Sequence, residues 1–219
     1  MKQLILIMVL SWAGMNMLFS QEVPEYAFEK FNSTSGYELP YRILYPENFD
    51  ESKIYPLLIF LHGSGERGSD NNRQLTHVAP FFLMDSIRAK YELIVVFPQC
   101  RQADRWGHYE LDNEGLRMLK SDQLTESGNA VVELTNQLKR KDWIDEEALH
   151  IGGLSMGAFG VYEILEREPE LYVNAITICG GGWPEAMENY KETPLWIFHG
   201  AKDPVVPVNF SRKLVSMGK

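Results

Sequence analysis

The chain has 219 residues, 45% hydrophobic and 23% charged, enough for one domain with a full core and no need of a disulfide or metal staple. Its formal net charge is −9 with no basic cluster, which speaks against a nucleic-acid partner.

The N-terminus, "MKQLILIMVLSWAGMNMLFSQE", has a basic start at Lys2, an apolar run from Leu4 to Leu10 and a Ser20/Gln21 junction. This pattern predicts a signal peptide over 1–20 and a secreted or periplasmic protein. Ser11, Gly14 and Asn16 interrupt a run already too short for an anchor, and no cysteine stands near the junction for a lipid. No membrane association is expected after cleavage. The domain expected is 21–219.

"YAFEKF" and "LPYRILYP" flank a glycine-containing turn and predict an antiparallel hairpin. "YPLLIFLHG", "ELIVVFPQC", "ALHIGGLS", "NAITICGGG" and "PLWIFHG" are apolar runs suited to strands buried on both faces. Between them, Leu124, Val131, Leu134 and Leu138 recur at helical spacing, predicting a helix from Thr125 to Lys141 with Lys139, Arg140 and Lys141 at its C-terminal end. "MGAFGVYEILERE" predicts another, stopped before Pro169. Strands alternating with helices give an α/β fold, a mostly parallel sheet with helices on both faces. Cys100 and Cys179 follow strands about three positions apart, roughly 14 Å at the usual spacing, and are expected to be free thiols.

In such sheets ligands bind beyond the carboxyl ends of the strands, and three loops there carry chemistry. "IGGLSMGAFG" holds Gly153-Leu154-Ser155-Met156-Gly157 between a strand and a helix, the context of a nucleophile elbow. The alternative is an ordinary glycine-rich strand–helix turn. "FLHGSGERG" can aim the Ser64 or Gly65 amide, with that of Met156, at a developing oxyanion. No G-K-[ST] follows, which excludes a phosphate loop, and His62 reads as structural. "HGAKDPVVP" places Asp203 where an acid orients a histidine, although Asp-Pro is also a common turn.

Together, "FLHGSGERG", "GLSMG", "CGGGWP" and "PLWIFHGAKDPVVPVNFSRKLV" resemble the α/β-hydrolase superfamily, in its secreted bacterial esterase and predicted-peptidase branch. That branch is related to dienelactone hydrolase, polyhydroxybutyrate-depolymerase-like and prolyl-oligopeptidase-type domains. The resemblance implies an α/β-hydrolase fold from about Tyr37 to Gly218, with Ser155 as nucleophile, Asp203 as triad acid and the Ser64 and Met156 amides as oxyanion donors. It implies no metal or organic cofactor.

The triad order of the superfamily requires a histidine after the acid. None follows Asp203, and His62, His77, His108, His150 and His199 all precede it. The expectation is therefore a chain stopping one helix–strand unit early, with its base missing; substitution by His77 or His108 is the alternative. The function expected is carboxylic-ester hydrolysis through an acyl-enzyme on Ser155, acting on a small-molecule or polysaccharide-linked ester. Gly65, Trp106 and Trp183 are candidate substrate contacts, the two tryptophans for a sugar or aryl group, with core packing as the other role for each. A serine peptidase of prolyl-oligopeptidase type and a non-catalytic homologue are the competing readings.

Overall fold

The computed structural model describes residues 25–112 and 115–217, and the expected signal segment 1–20 lies outside them. Strands β1 (Ala27–Asn32), β2 (Glu38–Leu44), β3 (Tyr55–Leu61), β4 (Ile94–Pro98), β7 (Ile144–Leu154), β8 (Asn174–Ile178) and β9 (Leu195–Phe198) form one sheet. Its order is β1-β2-β4-β3-β7-β8-β9. The first hairpin pairs antiparallel, as does β2 with β4, and every pair from β4 to β9 is parallel. This is the mostly parallel α/β sheet that the sequence pattern predicts, in the α/β-hydrolase arrangement that the resemblance implies.

The parallel strands read as unbroken apolar runs because both faces are covered, and all five residues of β4 are buried. A separate hairpin, β5 (Tyr109–Asp112) with β6 (Gly115–Met118), rises from the loop after β4. In β7, Ile144 pairs with Tyr55 but Leu149 with Leu57, so the acidic stretch between them bulges outward. That bulge brings His150 opposite Leu58 and Asn174, near the amino ends of the neighbouring strands.

Helices α3 (Glu126–Leu138) and α4 (Met156–Arg167) cover one face, where Leu57, Ile59 and Ile151 meet Val131, Leu134 and Ile164. Thr125 caps α3 by accepting a hydrogen bond from the Gly128 N–H at 3.0 Å. The helix ends at Leu138 rather than Lys141, and Lys139 to Lys141 turn back towards β7. Its cations therefore flank the C-terminal carbonyls from outside. Short helices α1 (Ala79–Phe82) and α2 (Asp85–Arg88) cover part of the other face, over Leu58, Phe60, Val95 and Phe97. Beyond them lies an apolar hollow of about 430 Å³ between Tyr91, His150, Ile176 and Trp196. On β9, at the end of the sheet, Trp196 and Phe198 are 68% and 49% exposed. Helix α5 (Asn209–Met217) follows on the other side. Among the described residues, no helix is long and apolar enough to cross a membrane.

Candidate active site

Ser155 stands between β7 and α4, with its backbone at φ 52° and ψ −113°. A non-glycine residue at positive φ is strained, by roughly 1–3 kcal/mol, and persists only where its surroundings fix it. They do. The Ser155 N–H donates to the Ile178 carbonyl at 2.8 Å, tying the turn to β8. A methyl group at Gly153 would lie 2.4 Å from the Gly157 carbonyl, and one at Gly157 only 2.0 Å from the Leu61 oxygen. Both positions are glycine because the backbone itself occupies the space a side chain would need.

The loop after β3 lies against this turn. An ideal Cβ on Gly63 would be 3.8 Å from both Ser155 Cβ and the Leu154 oxygen. Ser64 opens a one-turn 3-10 helix, Ser64–Glu66, and Met156 opens α4. The first N–H groups of a helix have no intrahelical acceptor, which leaves both amides without one. Ser64 and Gly65 are exposed.

Asp203 lies in the turn after β9. Its Oδ1 accepts hydrogen bonds from the Val205 and Val206 N–H groups at 2.8 and 2.9 Å, and these hold its carboxyl below the ordinary carboxylate range. Ser155 and Asp203 thus follow strands two positions apart, roughly 10 Å at the usual spacing. The thiol of Cys179, at the end of the intervening strand, sits within range of both the Ser155 N–H and the Asp203 charge; burial pushes its pKa up. Both cysteines are free, as their strand separation predicts.

Each of the five histidines is placed elsewhere. His62 is 3% exposed and sits between the Gly63 carbonyl, 2.6 Å from Nδ1, and the Cys100 N–H, which donates to Nε2 at 3.0 Å. His77 Nε2 meets Glu66 Oε1 at 3.2 Å, and His108 Nδ1 meets Glu163 Oε1 at 2.5 Å. His150 borders the apolar hollow with Nδ1 buried and unpartnered. His199 is the nearest to Asp203, with Nε2 3.8 Å from Oδ2, but that nitrogen donates to the Val206 carbonyl at 2.8 Å and Nδ1 accepts from Ser211 at 2.7 Å. Among the described residues, no imidazole bridges Ser155 and Asp203.

Of the expected substrate contacts, Trp106 is corrected. It is fully buried, its indole N–H donates to the His62 carbonyl at 3.1 Å, and its Cβ would be 2.4 Å from a methyl on Gly160. It is a core residue wedged against α4. Trp183 is half-buried and lines a cleft of about 280 Å³ beside α4, with the Lys120 ammonium 5.2 Å from its ring centre. The one functional candidate that sequence reasoning passed over is Glu66, a carboxylate only 8% exposed within the loop beside Ser155.

Residues 49–218 match the family model described as phospholipase/carboxylesterase. No curated protein matches the chain. Among solved structures, it is similar to a thermostable esterase at 34% identity and a TM-score of 0.81, over 90% of this chain and 52% of that one. It is also similar to Porphyromonas gingivalis dipeptidyl peptidase 4 at 15% identity and a TM-score of 0.61, over 88% of this chain and 30% of that one; this likeness is one of fold. The chain thus spans about half the length of the esterase it matches. With a strained strand–helix turn at Ser155 on a sheet of this order, and a family match over most of its length, the chain belongs to the phospholipase/carboxylesterase family of α/β hydrolases.

Proposed function

We propose that the protein hydrolyses carboxylic esters through an acyl-enzyme on Ser155. The observation that carries this reading is the strained Ser155 turn, φ 52°, held between two glycines whose places the backbone fills. A strained serine at a helix N-terminus, at the carboxyl end of a central strand, suits a nucleophile and has no evident structural purpose. Ser155 Oγ would attack the ester carbonyl, forming a C–O bond while the carbonyl oxygen takes the negative charge. The Ser64 and Met156 amides would donate to that oxygen. An imidazole would take the serine proton and pass it to the departing alcohol, and water would then release the acid.

Asp203 suits the carboxylate that orients this imidazole. Its Oδ1 is committed to backbone amides, and its Oδ2 makes no hydrogen bond with His199 at 3.8 Å. None of the five histidines bridges Ser155 and Asp203 as they stand here, and His77 and His108 are the candidates within this chain. Gly65, exposed beside Ser64, and Trp183, in its cleft, are the proposed substrate contacts, and a small-molecule or polysaccharide-linked ester is the proposed substrate class.

The experiment is labelling of the protein with a fluorophosphonate, followed by comparison of p-nitrophenyl acetate with an aminoacyl p-nitroanilide. Labelling confined to Ser155 and absent from Ser155→Ala, with preference for the ester, is the expected result. A preference for the anilide would replace the esterase reading with a peptidase, and labelling that survives in Ser155→Ala would remove Ser155 from the reaction.

A further inference from the structure

Behind the loop carrying Ser64 and Gly65 runs a buried polar chain that the proposed reaction leaves unused. Carboxylates are rarely enclosed, yet Glu66 is 8% exposed. Its Oε2 stands 2.9 Å from where a Gly63 Cβ would be, and that same point is 3.8 Å from Ser155 Cβ. The carboxylate therefore packs against the bare backbone of Gly63, on the flank of the nucleophile. Its other oxygen lies 3.2 Å from His77 Nε2, an ion-pair contact that joins the β3 loop to the segment following the turn Arg73–Leu75.

The main chain of Glu66 is tied as well. Its carbonyl accepts from Gln99 Nε2 at 3.1 Å, and Gln99 is fully buried. Gln99 Oε1 in turn accepts from the Asn71 N–H at 2.6 Å, and Asn71 Nδ2 donates to the Tyr41 carbonyl of β2 at 3.1 Å. A glycine-rich loop has little stiffness of its own. Here it is held at one residue by side chain and backbone together, to two different parts of the scaffold.

We propose that Glu66, latched to His77, is a positioning residue that sets where the Ser64 amide points relative to Ser155. The proposal rests on the acyl-transfer reading above and names what makes that site rigid. Glu66 touches no reacting atom in it. It acts through Gly63–Gly65, by keeping the oxyanion donor in place before substrate arrives. Loss of one such donor costs roughly 10²- to 10³-fold in rate, so a donor that is present but mobile should cost about 10- to 100-fold.

The test measures amide hydrogen exchange over residues 62–68, together with kcat and KM for p-nitrophenyl acetate. In Glu66→Ala, exchange of these amides should rise about tenfold, kcat should fall by about 10- to 100-fold, and KM should stay within about twofold. Glu66→Gln keeps the side-chain bulk packed between Gly63 and His77 and should restore most of both losses. Gly63→Ala should reproduce the defect by pushing the carboxylate out, and adding Glu66→Ala to it should cost little more. Unchanged loop exchange in Glu66→Ala overturns the latch, and raised exchange with an unchanged kcat overturns its role in positioning. If the wild type neither turns over ester nor labels at Ser155, the acyl-transfer reading falls, and the exchange data still decide the latch.

Discussion

His62 offers a quantitative check on how the site is built. It is 3% exposed, with Nδ1–H donating to the Gly63 carbonyl and Nε2 accepting from the Cys100 N–H. Both nitrogens are used by the neutral ring, so a second proton would break the Cys100 bond and bury a charge. Burial pushes its pKa down to about 4, and the Gly63 bond offsets this only in part. In the unfolded chain the ring titrates near the ordinary value of about 6.5. The unfolded state therefore binds a proton that the native state refuses, and stability is full above about pH 6.5 and lost as pH falls towards 4. At pH 5 the loss is about 2 kcal/mol, from roughly 1.4 kcal/mol per unit of separation. Urea unfolding followed by far-UV circular dichroism, at pH 7.5 and pH 5, measures it in wild type and His62→Gln. The variant, missing the native ring, should be weaker at both values, yet its fall between them should be shallower by about 2 kcal/mol. Subtracting one fall from the other removes the contributions of Asp70, Asp203 and His150. Equal falls would refute the reasoning and mean that the native His62 accepts its proton freely.

The strain at Ser155 predicts that Ser155→Gly is more stable than Ser155→Ala by about 1 kcal/mol, or about 2–4 °C in Tm, because glycine adopts φ 52° without a Cβ penalty. A glycine variant that melts at or below the alanine variant would mean the elbow stores no strain. Thr125→Ala removes the cap on α3 and its bond to the Trp106 carbonyl, and should lower stability by about 1 kcal/mol with an unchanged urea m-value. An unshifted urea midpoint would show that the cap contributes nothing.

The central strands could be read directly from the chain because burial on two faces leaves no alternation to interpret, as in "YPLLIFL". The parts that escaped have physical reasons. The early stretch of β7 carries Asp145, Glu146 and Glu147, which its bulge turns to solvent, so hydrophobicity could not mark it as strand. The β5–β6 hairpin is half-exposed and only four residues a side, too short for a periodic signal. Trp106 could be placed in a cleft or a core with equal ease on residue type alone. Its packing is written instead in glycines far along the chain, for a methyl on Gly128 would lie 3.1 Å from its carbonyl and one on Gly160 2.4 Å from its Cβ. At the site, the Gly-x-Ser-x-Gly spacing carried the elbow because each glycine answers a local collision. Glu66 left no such trace, since its burial depends on Gln99 and His77, which only the fold brings beside it.

Of the chain's five tryptophans, Trp106, wholly enclosed against α4, and Trp196, 68% exposed on β9, stand in contrast, and with Trp143 and Trp183 replaced by phenylalanine they become two optical reporters. Trp106 should emit towards the blue and resist quenching by iodide. Trp196 should emit towards the red and quench freely. Anything that settles over the hollow beside β9 would dim or shift the second signal and leave the first untouched, whereas loosening around Ser155 would do the reverse.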